Sequence, residues 1–283
     1  MHYCQFETGF IVIGVETPEK LQVNDKFAAF LTEGKTPDIT VKFDYTDEIT
    51  VAGEVIKSGD RALITRGENC IFVYYHLEGS GEFYAVRKVA DSEPSVHNIY
   101  IPEKYRGKIW TRLVFDLIDF GDIAEQFGAV VFHSSFIEHN GEAILFTAPC
   151  GTGKSTQADL WEKFRNAEII NGDKSLLYVK DGVCCASGLP FSGSSGICKN
   201  KKMPVKAVVR LSQAKVNIIS RLSGFNAYKA VYEGCYQSAI TSVHNRVAGD
   251  IAEKFAVTVP VLSLACLPDS TAVDVLHDFL EKL

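Results

Sequence analysis

The residues Ala148-Pro149-Cys150-Gly151-Thr152-Gly153-Lys154-Ser155-Thr156 place two glycines, a lysine and adjacent hydroxyls in one short run. The run directly follows the apolar stretch Ala143-Ile144-Leu145-Phe146 and heads a helical stretch. That combination suits an anion. Small residues let successive backbone N–H groups turn inward around phosphate oxygens, and a helix start puts those oxygens at the positive end of the peptide dipoles. Gly151 and Gly153 supply the backbone freedom, Lys154 reaches the β- and γ-phosphates of a nucleotide, and the Ser155 hydroxyl is positioned to ligate magnesium. Cys150, Thr152 and Thr156 complete the expected nucleotide-binding set, with ATP and Mg2+ as ligands. Ala148 stands where the motif has its first glycine, a change of one methyl group. A chance strand, glycine turn and helix start is the competing reading. Cys150 sits where a helix N-terminus favours a thiolate, so a redox role and a plain small side chain both fit.

Magnesium needs an acid as well as a hydroxyl. The stretch Glu168-Ile169-Ile170-Asn171-Gly172-Asp173 offers Asp173 at the end of a short apolar strand, close to the loop in sequence; the alternative is an ordinary turn aspartate after Gly172. Downstream, Ser187-Gly188-Leu189-Pro190-Phe191-Ser192-Gly193-Ser194-Ser195-Gly196 reads as a flexible segment followed by Lys199, Lys201 and Lys202. It either covers a substrate, with one of these lysines or Arg210 steadying transferred phosphate, or is a solvated linker. His244 and Arg246 fall on a helix face and carry no assigned chemistry.

The elements that must position these groups follow from periodicity. Before residue 100 the apolar runs at 10–15, 39–43, 61–65, 70–75 and 82–86 read as strands. They are punctuated by Gly67-Glu68-Asn69 and Gly79-Ser80-Gly81, which predicts an antiparallel sheet. His76 and His97 in this half read as isolated surface residues rather than metal ligands. The polar, proline-bearing stretch 90–108 is the seam, giving a β-rich N-terminal domain over 1–105 and a second domain over 106–283. After the seam Ile109, Leu113, Leu117 and Phe120 recur at helical spacing, with Val114 and Ile118 widening the face. Short strands at 129–132 and 143–146 then flank the loop, and the helix after it offers Ala158, Trp161 and Phe164 for burial. Strands at 167–170, 176–179, 205–211 and 259–266 follow. Ile240, Val243, Val247, Ile251 and Phe255 mark a helix, and a last one starts near Ser270. This alternation predicts an α/β or α+β domain with a mixed sheet.

Composition sets the outer bounds. With 46% hydrophobic and 23% charged residues, a disordered or coiled-coil chain is excluded. A net charge of −6 argues against a general nucleic-acid binder. No uncharged apolar run approaches the ~18 residues that cross a bilayer, and Met1-His2-Tyr3-Cys4 is not followed by a leader pattern, so the expectation is a cytoplasmic protein with no membrane partner. The eight cysteines are scattered without paired Cys-x-x-Cys steps and read as free thiols.

In order and spacing these residues resemble the HPr kinase/phosphorylase group, which shares its nucleotide-binding core with ATP-dependent phosphoenolpyruvate carboxykinase. The likeness spans roughly residues 129–175, with a looser one to the C-terminus. It runs from His133 at the end of a strand through Phe136-Ile137-Glu138, the Asn140-Gly141 turn and Ile144-Leu145-Phe146 to the loop and Asp173. The resemblance implies a P-loop core with a mixed sheet, and self-assembly. It implies roles for His133, Lys154, Ser155 and Asp173: the histidine lies at the active site, the lysine and hydroxyl hold ATP and magnesium, and the carboxylate serves metal and acceptor. Two departures stand out: HPr kinases carry two adjacent aspartates where this chain has Gly172-Asp173, and their arginine-glycine segment has no match here. Phosphorylase activity and HPr as substrate are therefore not carried over. With one aspartate, His133 is left either to take the second role or to orient Asp173.

The function expected on these grounds is an ATP-dependent, HPr-kinase-like kinase. It moves the γ-phosphoryl group to a hydroxyl of a peptide, a protein or a small molecule. The rival readings are an ATP-binding sensor without transfer and an NTPase coupled to conformational change.

Overall fold

The computed structural model describes residues 1–77, 80–193, 195–236 and 244–283. Gly79, Ser194, Ile240 and Val243, which the sequence reading used, lie outside them. The chain divides into two compact units, Met1–Ile123 and Ala124–Leu283, each a mixed α/β structure built on one nine-stranded sheet.

The first unit contains β1 (His2–Thr8), β2 (Ile11–Thr17), α1 (Asp25–Ala28), β3 (Leu31–Thr32), β4 (Ile39–Thr46), β5 (Glu54–Ser58), β6 (Ala62–Arg66), β7 (Cys70–His76), β8 (Phe83–Ala90), β9 (Val96–Pro102) and α2 (Thr111–Ile118). The strand order is β3-β1-β2-β4-β9-β8-β7-β6-β5. The sheet is mixed rather than antiparallel throughout, because β4 runs parallel to both β2 and β9. The physical reason is the connection. The chain between β2 and β4 includes α1 and is long enough to return to the same end of the sheet, as a parallel neighbour requires. The strands from β5 to β9 keep the antiparallel pairing expected of short connections.

The α2 helix belongs to this first unit, which extends past the sequence seam. It buries Val114, Phe115, Leu117 and Ile118, and Phe115 packs its ring on Phe6 and Phe27 at 5.5 and 5.1 Å. Its last carbonyls, which have no intrahelical partner, are met from the sheet: the buried Arg87 guanidinium donates to Ile118 O and the Tyr75 hydroxyl to Leu117 O. His97 is a correction to the surface reading, being only 1% exposed. Along β9 the buried positions alternate as His97, Ile99 and Ile101, so strand periodicity turns the imidazole into the core. Burial, reinforced by the Arg87 charge, pushes its pKa down to about 3 and keeps it neutral.

The α3 helix (Phe120–Gln126) leads into the second unit. That unit comprises β10 (Val130–His133), β11 (Ser135–His139), β12 (Glu142–Thr147), α4 (Lys154–Arg165), β13 (Glu168–Asn171), β14 (Lys174–Lys180), β15 (Val183–Gly188), β16 (Lys202–Gln213), β17 (Ile218–Arg221), α5 (Gly224–Tyr232), α6 (His244–Thr258), β18 (Val261–Cys266) and α7 (Ser270–Leu280). The β12, β16 and β18 strands are parallel and central, while the outer pairings are antiparallel.

Alternation along β12 sends Ala143 and Leu145 to one face and Ile144 and Phe146 to the other. The first face packs on α5 and α6 through Ala227, Val231, Ile251 and Phe255, and the second on α4 and α7 through Ala158, Trp161, Val273 and Leu276. A sheet covered on both faces explains why its strands read as near-continuous apolar runs. Phe164, expected on the buried face of α4, is 42% exposed. The helix stops at Asn166, which adopts φ 52°, and this leaves Phe164 at the open end with Lys163 over its ring. Among the described residues no helix is long and apolar enough to cross a membrane.

Candidate functional site

The loop joining β12 to α4 is held open by its glycines. Gly151 and Gly153 adopt φ 77° and 115°, the left-handed region that side chains resist, although a β-carbon at either would meet nothing within 4 Å. The requirement there is conformational, not steric. Gly153 caps α4 without a side chain, so the first amides of this twelve-residue helix receive no side-chain acceptor. Lys154 is buried and curls back over its own loop, donating to Ala148 O at 3.0 Å and Pro149 O at 3.5 Å. Burial pushes its pKa down, opposed by the charges of Cys150 and Asp173. Cys150, Ser155 and Thr156 are exposed around it.

Facing the loop is the turn between β13 and β14. Asn171 is fully buried and uses both ends of its amide. Its oxygen accepts from the N–H of Asp173 at 2.9 Å and of Lys174 at 3.0 Å, and its nitrogen donates to Leu189 O at 3.0 Å and Phe191 O at 2.7 Å. The Asp173 carbonyl accepts from Ser134 N at 3.0 Å and Ser135 Oγ donates to Gly172 O at 3.0 Å, which ties this turn to the β10–β11 corner. His133 enters from that corner, with its Nδ1 3.4 Å from Asp173 Oδ1. Burial first, and then the Lys154 charge, lower the His133 pKa against the pull of Asp173, so the imidazole is neutral at pH 7. His133, Lys154 and Asp173 therefore sense one another electrostatically at one end of the sheet. Lys174 joins them as the cross-strand partner of His133.

The segment after β15 crosses this turn as a strap. A β-carbon on Gly193 would stand 3.0 Å from Asp173 Cβ, and one on Gly172 would overlap the Ser195 hydroxyl and lie 2.8 Å from Ser195 Cβ. The cations expected to steady phosphate are otherwise engaged. Lys199 pairs with Glu168 at 2.9 Å and Lys201 with the other Glu168 oxygen, and Arg210 pairs with Glu233 at 3.0 Å. Lys202 begins β16 and is exposed.

Two clefts flank the site. One of about 560 Å3 is lined by His133, Lys174, Tyr232, Glu233 and Tyr236. The other, of about 680 Å3, runs from Pro149 to Thr152 along the loop to Arg210, Gln213, Asn226 and Ser263. Among the described residues no trio of His, Cys, Asp or Glu is arranged to hold a metal. A nucleotide-borne magnesium needs only one or two protein oxygens beside phosphate and water, and Ser155 and Asp173 are oxygen donors of the right type. Of the expected groups, Arg246 is exposed on α6, and nothing is assigned to it.

The residues that sequence reasoning missed are Asn171, Lys174 and Gly193. Asn171 left one signal, a polar residue directly after a short apolar strand.

No family model and no curated protein matches the chain. Among solved structures it is a distant neighbour of the HPr(Ser) kinase/phosphatase from Coxiella burnetii, with 10% identity and a TM-score of 0.30 over 54% of this chain and 93% of that chain.

Proposed function

We propose that this chain is an ATP-dependent kinase with a P-loop core of the HPr-kinase type, transferring the γ-phosphoryl group to a hydroxyl of a peptide, protein or small molecule. The observation that carries the reading is the meeting of Lys154, at the head of α4, with Asp173 from the facing turn and His133 from the β10–β11 corner.

In this reading the amides of the loop and of the α4 start, together with the Lys154 ammonium, bind the phosphates, and the cleft along 149–152 takes the nucleoside. Magnesium, held by Ser155 and Asp173 when bound with the nucleotide, supplies charge neutralisation on the phosphates. Asp173 takes the acceptor's proton, and the neutral His133 orients its carboxylate through Nδ1. The cleft beside His133 and Lys174 admits the acceptor. The unit Met1–Ile123 serves as an accessory domain.

Transfer of labelled γ-phosphate into a fractionated bacterial lysate tests this reading, with Lys154→Ala as control. Wild-type-specific label in the protein or small-molecule fraction is the expected result. Bound ATP with no label in either fraction sinks it.

A second reading, an ATP sensor that performs no transfer, draws on the strap. At Gly193 it leaves no room for a side chain beside the carboxylate that would serve the acceptor. That reading expects ATP binding with neither labelled product nor free phosphate.

A further inference from the structure

The strap that covers Asp173 is itself rich in the functional group a kinase of this kind acts on. Between the anchored carbonyls of Leu189 and Phe191 and the Lys199 amide, which donates to Ile170 O at 2.9 Å, the chain passes Ser192 and Ser195 across the Asn171–Asp173 turn. Both ends of the crossing are therefore tied to the strand that carries the turn. The approach is as close as backbone allows, because each strand-side and strap-side contact occurs at a glycine. Gly193 lies on the Asp173 side chain, and the Ser195 side chain lies on Gly172 with no room for a β-carbon between them. Ser195 Oγ accepts from Ile197 N at 3.4 Å, which leaves its own proton free to be given to a base. A primary alcohol held against the residue next to Asp173 in the same chain needs no bimolecular encounter, and such pre-organisation is worth orders of magnitude in rate.

We propose that Ser195 is an internal phosphoryl acceptor, modified in cis by the site that the strap covers. This rests on the kinase reading above. The Ser195 Oγ–Pγ bond forms as the bond between Pγ and the β,γ-bridging oxygen of ATP breaks. ADP leaves with that oxygen, and the hydroxyl proton passes to Asp173.

The test uses the full chain with Mg2+ and labelled ATP, alone and with the lysate fractions as competing acceptors. The expected result is the mass gain of one phosphoryl group, localised to Ser195 by fragmentation. Its rate constant is unchanged when the protein is diluted. The label is lost in Ser195→Ala and in Lys154→Ala, and retained as phosphothreonine in Ser195→Thr. Label on another residue of the chain, or a rate constant that falls with dilution, overturns the assignment. Label in a lysate fraction with none on the chain overturns the internal acceptor and leaves the kinase standing. Bound ATP with label in neither overturns both.

Discussion

Gly193 lies against the carboxylate of Asp173: a β-carbon at position 193 would stand 3.1 Å from Asp173 Cγ and 3.3 Å from its Oδ1. One residue earlier in the turn, Gly172 leaves the space that Ser195 fills. A side chain at 172 and the strap in its present position exclude each other.

Replacing Gly172 with aspartate, which would set two acids side by side, is expected to lift the strap. The new β-carbon overlaps Ser195, and such overpacking costs about 1–3 kcal/mol when the neighbour cannot retreat. Because Ser195 is exposed, the strap moves before the core does. Faster amide hydrogen exchange at residues 191–196 is the readout, and wild-type exchange in Gly172→Asp would remove the contact from the account.

Lys154→Ala is expected to weaken ATP binding about ten- to a hundredfold, the equivalent of the ~1.5–3 kcal/mol of one hydrogen bond to a charged group. In the absence of ligand its ammonium satisfies only carbonyls of its own loop, so the fold should survive. Titration calorimetry with Mg-ATP, beside an unchanged far-ultraviolet spectrum, checks this. Wild-type affinity would take the lysine out of the nucleotide site.

Asn171→Leu tests whether the buried amide holds turn and strap together. The substitution strands two N–H groups and two carbonyls, and each buried group left unpaired costs ~1–3 kcal/mol. The expected outcome is a drop of several kcal/mol in denaturant stability. Asn171→Asp should also destabilise, since a carboxylate still accepts from Asp173 and Lys174 but cannot donate to Leu189 and Phe191. A denaturation midpoint equal to wild type in both variants would contradict the role.

The strand before the glycine loop, the turn at Gly151 and Gly153 and the helix after it could be placed before any fold was known, because an apolar run, a glycine turn and a helix start are local signals. The layering of the second unit was legible too, since apolar runs with helical or alternating spacing are local signals. The groups set by long-range pairing were not. Lys199 and Lys201 look free in sequence, yet their partner Glu168 lies some thirty residues upstream. The salt link of Arg210 to Glu233 likewise joins β16 to the end of α5. His97 looked solitary because its burial depends on which face of β9 is covered. That is a property of the sheet register and not of its neighbours in sequence.

His97 also makes the first unit sensitive to acid. The folded protein leaves this imidazole unprotonated down to about pH 3, whereas the unfolded chain takes up the proton near the ordinary histidine value of about 6.5. Between those limits the unfolded state binds more protons, so stability is full above the upper limit and falls as pH is lowered, by about 1.4 kcal/mol per unit at most. His133 and His139 are shifted in the same direction by burial and add to the slope. The contribution of His97 is the part that disappears in His97→Leu. Urea midpoints between pH 7 and pH 5 should decline more steeply for the wild type than for this variant. Parallel curves would mean that the buried imidazole is protonated in the folded state after all.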